Sequence, residues 1–361
     1  MAQSSQKGYK IKTYNIFTNK EDSLPQGKAD FLLAASVTLT CEIEGITQAG
    51  ISGMIPLTPT LDAEFITHAK VFSLGEVAET PSGVVTPAII TRAVHNLTPF
   101  SSILTYDLGL TKQPQNTSTQ SFDIKASDSI ASGANIDAKS VFEKGMRAGK
   151  EYELKGNYLI LAESTPSGTT TAAASALALG YECAKDFSSS FLNVPKSIKD
   201  ETISKALSLI NKDMSSFEKL SFVSDNMLIF NAGFLLEASR RFHVVLAGGT
   251  QMAAVLLIAD KLKEDVLMRI KSDNITLATT AWIAEDKDSD IAHILSLLSY
   301  TPHAVYTKFS FKEATIESLK RYDDGEAKEG AGAGAALGYA RANGVDNKRL
   351  LEEIEYILYS M

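Results

Sequence analysis

Several short runs of consecutive apolar residues lie along the chain. The runs have the length of β-strands and show no alternation with polar residues, which is typical of strands that are covered on both faces of a parallel sheet. The runs that we interpret as strands are FLLAASVTL at 31–39, YLILA at 158–162, HVVLA at 243–247, NITLATTAWIA at 274–284 and HAVYTKFSF at 303–311.

Glycine-containing turns and helical patterns follow two of these strands. The run at 158–162 continues into STPSG and the Ala-rich stretch TAAASALALG, and the run at 243–247 continues into Gly248-Gly249 and TQMAAVLLIADKL. A strand, a glycine turn and a helix in succession indicate βαβ units. We therefore predict an α/β fold with a mainly parallel sheet flanked by helices, a Rossmann-like arrangement of three layers with a small helical subregion.

The C-terminal part of the chain has a different pattern. The stretch at 330–342 is rich in small residues, and the stretch at 347–361 is amphipathic with helical spacing. We expect residues 1–361 to form one compact unit. Within it, 30–311 would form the α/β core, and 312–361 a helical segment that completes the active site.

Composition and charge exclude several classes of protein. Hydrophobic residues make up 44% and charged residues 22% of the chain, which disfavours a disordered or fibrous protein. The net charge is −8, from 35 Lys and Arg against 43 Asp and Glu, so there is no general basic surface for a nucleic acid.

The two cysteines cannot build a disulfide scaffold, which favours a reducing, cytoplasmic setting. The uncharged stretch at 242–259 carries polar residues and a Gly-Gly pair at its middle, which would be costly in lipid. We interpret this stretch as a buried strand, a turn and a helix start, and we expect a soluble protein with no membrane partner.

The turn at 163–171 has the composition of a phosphate-binding loop. Its sequence, ESTPSGTTT, lies between a predicted strand and a predicted helix. Gly168 lets the backbone approach a ligand, and the neighbouring hydroxyl groups lie near the free N–H groups of a helix start. A plain strand–helix turn with Ser and Thr caps would have the same composition. The predicted phosphate-binding residues are Ser167, Gly168, Thr169, Thr170 and Thr171.

A second strand–helix turn contains Gly248, Gly249 and Thr250. Turns at the carboxyl ends of parallel strands open at one edge of the sheet, where α/β proteins bind their ligands. We predict that this turn lines the same cleft as the loop at 163–171. A Gly-Gly pair followed by Thr is also a common way to join a strand to a helix.

A third segment, KEGAGAG at 328–334, places a carboxylate beside very small residues. Gly330 and the four residues after it leave room for a flat ligand, and Glu329 stands immediately before them, in a position suited to a general base. A closely packed helix whose first-turn Glu complements the helix dipole would show the same pattern.

Other catalytic motifs are not found in the sequence. The five histidines lack metal-ligand spacing, no GxSxG elbow occurs, and no GxGxxG follows the first strand. We therefore expect no metal and no cofactor, and a triad hydrolase is disfavoured.

The three segments together resemble the nicotinate-nucleotide:dimethylbenzimidazole phosphoribosyltransferase family. That family has a strand ending in Glu, a Gly/Thr loop and an Ala-rich helix, matched here by ESTPSGTTTAAASALALG from Glu163 onward. It then has a Gly-containing helix, paired Arg, a valine-rich strand and a small-residue turn, matched by GFLLEASRRFHVVLAGGTQMAAVLLIA at 233–259. Its C-terminal Gly-Glu-Gly-x-Gly segment is matched by KEGAGAGAAL at 328–337. The order and spacing agree over about 150–345, and LTPTLDAE at 57–64 is more similar to an archaeal branch of the superfamily.

The resemblance implies a glycosyl transfer. A ring nitrogen of a benzimidazole-like base would attack the anomeric carbon of nicotinate mononucleotide, release nicotinate and give α-ribazole phosphate for the lower ligand of cobalamin. It implies Glu329 as the catalytic general base and Glu163 as a second catalytic carboxylate. It also implies a homodimer that binds these two small molecules. The residues assigned to the substrate pocket are Gly248, Gly249, Thr250 and Gly330.

The chain departs from the family pattern at Ala162, Thr169 and Lys328, where the family has glycine, asparagine and glycine. These departures leave open a second interpretation, a non-catalytic nucleotide-binding or regulatory protein of the same fold. A phosphohydrolase is a weaker third interpretation, because no nucleophile–base pair or metal set can be named.

Overall fold

A computed structural model describes residues 10–361 and contains one eight-stranded sheet within them. The strands are β1 (Lys12–Asn15), β2 (Ala29–Ala35), β3 (Ser102–Asp107), β4 (Thr119–Ser121), β5 (Tyr158–Ser164), β6 (Val244–Ala247), β7 (Ile275–Thr280) and β8 (His303–Lys308). The helices are α1 (Thr58–His68), α2 (Ala88–Leu97), α3 (Ala138–Glu151), α4 (Gly168–Ala178), α5 (Lys196–Ser208), α6 (Ser216–Val223), α7 (Asn226–Ala238), α8 (Thr250–Asp265), α9 (Ala281–Ala284), α10 (Ile291–Ser296), α11 (Glu317–Lys320), α12 (Ala333–Ala342) and α13 (Asn347–Tyr359).

The strands follow the order β1-β8-β7-β6-β5-β2-β3-β4 across the sheet. All neighbouring pairs are parallel except β1 and β8, which are antiparallel. The prediction of a mainly parallel sheet is therefore confirmed.

Helices cover both faces of the sheet, and alternate residues of each strand point to opposite faces. In β2, Leu32 and Ala34 belong to a core shared with α3, α4, α7 and α8. Phe31 and Leu33 belong to the opposite core, which includes α2, α12 and α13. Such two-sided burial explains the continuous apolar runs, because neither face of a central strand meets water. The predicted three-layer arrangement is confirmed.

Three of the predicted strands end earlier in the structure than their apolar runs do. The run at 31–39 leaves the sheet after Ala35, the run at 274–284 after Thr280, and the run at 303–311 after Lys308. Residues at the end of the second run form helix α9 instead. A short apolar run does not distinguish a strand from a buried turn of helix, so the pattern could not set these boundaries.

The strands that we did not predict, β1, β3 and β4, lie at or near the two edges of the sheet and contain several polar residues. The small-residue helix α12 begins at Ala333 rather than at the start of the predicted stretch. It begins late because Gly330, Ala331 and Gly332 have φ angles of +148°, +49° and +79°, which are not helical.

The uncharged stretch at 242–259 folds as predicted, into β6, a Gly-Gly turn and the start of α8. Within residues 10–361, no helix combines the length and the apolar character needed to cross a membrane.

Candidate active site

The three segments singled out in the sequence meet at one edge of the sheet. Strands β5, β6 and β7 are parallel neighbours, so the loops after their carboxyl ends lie side by side. Glu163 lies at the end of β5, Gly248 follows β6, and the segment with Glu329 packs against the end of β7. The N–H of Ala331 donates a hydrogen bond of 2.9 Å to the carbonyl oxygen of Glu163, which joins the first segment to the third.

Two cavities at this edge share part of their walls. Cavity A has a volume of about 80 Å³ and cavity B about 70 Å³. One buried water molecule needs about 10–15 Å³ on this scale, so each cavity has room for several such molecules. The residues that line both cavities are Ala49, Glu163, Thr165, Ser190, Gln251 and Glu329.

The remaining walls of the two cavities differ in chemistry. Cavity A has several small or apolar walls, contributed by Ala78, Val84, Pro87, Pro166, Ala327, Gly330 and Ala331. Cavity B has mainly hydroxyl groups and backbone, contributed by Ser167, Gly168, Thr169, Ser188, Ser189, Gly249 and Thr250.

The carboxylate of Glu329 is held by four donors. Its Oε1 accepts from the N–H groups of Gly330 and Gly334, each at 3.1 Å. Its Oε2 accepts from the N–H of Thr280 at 3.0 Å and from the hydroxyl of Thr279 at 3.3 Å. The backbone at position 334 lies so close to Thr279 that only glycine fits, because a Cβ there would lie 2.2 Å from the backbone carbon of Thr279.

Glu163 has a different environment. It is 3% exposed and forms no ion pair within residues 10–361. Burial, followed by the charges of Glu329, Asp225 and Asp62, raises its pKa to about 8, against a weaker opposing hydrogen bond from the N–H of Thr165.

Burial also raises the pKa of Glu329, to about 7, although its four hydrogen bonds favour the charged form. The charges of these two neighbouring carboxyl groups repel each other, so near neutral pH the pair holds one negative charge. The charge is better placed on Glu329, because four donors stabilise it there. Glu163 then holds the proton.

The start of α4 carries free hydrogen-bond donors. Ser167, the residue before the helix, has a left-handed backbone with φ of 65°. Within the described residues, the N–H groups of Ser167 and Thr169 donate no hydrogen bond. The hydroxyl groups of Ser167 and Thr165 are also buried without a partner. Unpaired N–H groups at a helix N-terminus are favourable for binding an anion.

Not every predicted phosphate-binding residue reaches a cavity. Ser167, Gly168 and Thr169 line cavity B, whereas Thr170 and Thr171 lie outside the walls of both cavities. The hydroxyl of Thr171 donates to the carboxylate of buried Asp225, next to the start of α7.

Three of the four predicted pocket residues line a cavity, and the fourth does not. Gly249 and Thr250 line cavity B, and Gly330 lines cavity A. Gly248 lies behind them, where a Cβ would be 2.6 Å from Cγ of Met252. The hydroxyl of Thr250 lies 3.0 Å from that of Ser188, so it also supports the wall of the cavity.

Lys199 is a candidate that sequence reasoning missed. It lies on α5 and is 5% exposed, and its Nζ donates to the carbonyl of Ser188 at 2.8 Å and to the hydroxyl of Thr169 at 3.3 Å. Burial lowers its pKa to about 8. Its position behind the wall of cavity B puts a buried positive charge beside the free N–H groups. No motif surrounds Lys199 in the sequence that could have revealed it.

Lys328 stands at one of the departures from the family pattern and lines cavity B. Its Nζ forms an ion pair of 2.8 Å with Asp286, and both side chains are buried. The charge of Lys328 is therefore offset by Asp286.

Within the part of the chain that the structure describes, no group of three or more His, Cys, Asp or Glu side chains is arranged to hold a metal ion.

Two solved structures share the architecture of this chain. The nicotinate-nucleotide-dimethylbenzimidazole phosphoribosyltransferase of Thermus thermophilus superposes with a TM-score of 0.57 at 14% identity, covering 92% of this chain and 84% of that one. A structure of CobT from the same organism gives 0.57 at 17% identity, covering 91% and 85%. The chain shares the fold of these enzymes.

Archaeal proteins match this chain over most of its length. It is 31% identical over 345 residues to the UPF0284 protein of Sulfurisphaera tokodaii, covering 95% of this chain and 96% of the relative. It is 34% identical over 326 residues to that of Methanocaldococcus jannaschii, covering 89% and 90%. No protein-family model matches the chain. The solved structures show the shared fold, and the relatives that match most of the chain are archaeal. The chain belongs to the UPF0284 family.

Proposed function

We propose that this protein is a pentosyltransferase that moves the ribose phosphate of nicotinate mononucleotide to a benzimidazole-like base. The base forms a new bond from a ring nitrogen to the anomeric carbon, and the bond from that carbon to the nicotinate nitrogen breaks. Nicotinate leaves as a neutral pyridine ring with its carboxylate, and the product is α-ribazole phosphate.

The observation that carries this proposal is the pair of carboxyl groups, buried Glu163 and partly buried Glu329, in the wall shared by two chemically different cavities. Cavity A, with its small and apolar walls, suits a flat heterocyclic base. Cavity B, with its hydroxyl and N–H groups, suits a phosphorylated sugar. The reacting carbon would then lie between them, beside both carboxyl groups.

Cavity B supplies the means to hold the phosphate. The free N–H groups of Ser167 and Thr169 and the unpartnered hydroxyl of Ser167 are donors in fixed positions. Lys199 adds a positive charge through its contact with Thr169. Donors at a helix N-terminus and a buried ammonium group together favour an anion such as a phosphate monoester.

Glu329 is the general base in this proposal. As the new bond forms, the heterocycle becomes cationic and its remaining ring N–H grows more acidic. The ionised carboxylate of Glu329 accepts that proton, and its pKa of about 7 suits a base that works near neutral pH. Protonated Glu163 is a hydrogen-bond donor toward the substrate, and it leaves Glu329 as the charged member of the pair.

The proposal gives the segment 312–361 a defined part in the site. Glu329 and Gly330 come from this segment, whereas Glu163 and the phosphate loop come from the α/β core. The carboxyl pair therefore combines residues from both parts of the chain.

Incubation with nicotinate mononucleotide, with and without 5,6-dimethylbenzimidazole, tests the proposal. Release of nicotinate that depends on the base, with formation of a ribosylated base phosphate, is the expected result. Phosphate release without the base would indicate a hydrolase. Binding of the nucleotide without turnover, for any benzimidazole supplied, would favour the non-catalytic interpretation.

A further inference from the structure

A third carboxyl group, that of Asp62, lines cavity A together with Glu163 and Glu329. It lies on α1 and is 3% exposed. Its Oδ1 accepts from the hydroxyl of Thr86 and its Oδ2 from the hydroxyl of Ser164, each at 2.7 Å. No cation pairs with it in the described part of the chain.

These two hydroxyl groups do not complete the hydrogen bonding of Asp62. A carboxylate offers about four acceptor positions, and Asp62 uses two of them, so each oxygen can accept one more donor. A buried carboxylate without a cation is costly unless donors surround it. An apolar residue would fill the same space without that cost, so the charge at this position calls for a partner in the cavity.

A second polar group in the same cavity lacks a partner. Thr165 is 5% exposed, lines cavity A, and has a hydroxyl with no hydrogen-bond partner. The adjoining walls at Ala78, Val84 and Pro87 are small or apolar. The cavity therefore combines unfilled hydrogen-bonding positions with surfaces that suit an aromatic ring.

We propose that Asp62 selects the acceptor base by accepting a hydrogen bond from a hydroxyl or amino group on its ring. The inference rests on the proposed function. It ranks the acceptor bases: those that carry such a donor, besides the nitrogen that Glu329 deprotonates, should bind more tightly than bases that carry only methyl groups. A base with only methyl groups would bury Asp62 against carbon. A site built to pair a substrate O–H or N–H discriminates strongly against an analogue that lacks it, because its own buried polar group is left unpaired.

The test compares two bases of nearly equal shape, 5-hydroxybenzimidazole and 5-methylbenzimidazole. Their affinities for the protein are measured by isothermal titration calorimetry in the presence and absence of nicotinate mononucleotide. The wild-type protein should bind the hydroxylated base at least about 10-fold more tightly. Equal affinity, or tighter binding of the methylated base, overturns the proposal without any variant being needed.

Variants then assign the preference to one residue. In Asp62→Asn and Asp62→Ala the preference should fall severalfold, mainly through weaker binding of the hydroxylated base. The matched control is Asp225→Asn, since Asp225 is also fully buried and bonded to a threonine hydroxyl but lines neither cavity. It should keep the wild-type preference. A preference that survives in both folded Asp62 variants overturns the assignment.

Binding and turnover are read separately in this design. Discrimination between the two bases without nicotinate release from either would reject the proposed transfer reaction and leave the recognition by Asp62 intact. Nicotinate release without discrimination between the two bases would support the transfer reaction and reject recognition by Asp62. Binding of neither base would reject both.

Discussion

Replacement of Glu329 by Gln separates the catalytic role of this residue from its structural role. The side chain keeps its size, and its amide oxygen can still accept from the N–H groups of Gly330 and Gly334. The new NH₂ group then faces the N–H of Thr280 and the hydroxyl of Thr279, both of which donate to the carboxylate in the wild-type protein. At least one buried donor loses its acceptor, which should cost about 1–3 kcal/mol of stability.

The catalytic loss should be larger and should appear in a different measurement. A general base contributes about 10²- to 10⁴-fold to the rate, which corresponds to about 3–5 kcal/mol of activation free energy. We therefore expect kcat for nicotinate release to fall by about that factor in Glu329→Gln, while nicotinate mononucleotide still binds.

The pH profile provides a further readout. A general base acts only when ionised, so wild-type kcat/KM should fall as the pH drops below about 7, where Glu329 gains its proton. The residual activity of Glu329→Gln should lack this acidic limb. A merely structural Glu329 would leave the limb in place.

Glu326→Gln is the matched control for this experiment. Glu326 lies in the same segment, is 4% exposed and accepts hydrogen bonds from Thr80 and Arg321, but it lines neither cavity. It should lose stability and keep its turnover. Turnover near the wild-type level in folded Glu329→Gln would refute the reasoning, and Glu329 would then serve only to fix the start of α12.

Three further predictions test the surroundings of the carboxyl pair. Gly168→Val should weaken nucleotide binding, because even a Cβ there would lie 1.9 Å from Oε1 of Gln251; unchanged affinity of a folded variant by calorimetry would remove the phosphate loop from the proposal. Lys199→Met removes a buried positive charge, so it should weaken nucleotide binding about 10- to 100-fold without lowering Tm. A lower Tm with unchanged affinity would mean that Lys199 has a structural role. Between about pH 5 and 7.5 the free energy of unfolding should fall as the pH rises, because the pKa of Glu163 is about 8 in the native protein and 4.5 unperturbed. Denaturant titrations should show a flatter dependence in Glu163→Gln, and an unchanged slope would contradict the raised pKa.

The apolar runs of the sequence were sufficient to predict the central strands and the three-layer fold. Strands such as β5 and β6 are covered on both faces, and because of that burial their residues are apolar at consecutive positions. The edge strands β1 and β4 were not predictable in this way, because a partly exposed strand tolerates polar residues. Strand ends were also poorly defined, since an apolar residue is equally suited to a buried helix turn.

The segments around Glu163 and Glu329 were identifiable in the sequence because each combines a carboxylate with small residues that allow close approach. Their order along the chain did not reveal that the N–H of Ala331 would bond to the carbonyl of Glu163. That contact depends on which strands become neighbours, and strand order is decided by the packing of whole helices and strands.

Only the tertiary structure identified Asp62 and Lys199. Each stands in an ordinary helical sequence, where a charged residue is normally expected to face water. Asp62 bonds to Ser164, 102 positions away, and Lys199 to Thr169, 30 positions away. Local sequence determines whether a segment becomes a helix or a strand. Whether a charge on that helix is exposed or enclosed depends on distant segments that close around it, and enclosure is what turns a common side chain into a candidate for binding and catalysis.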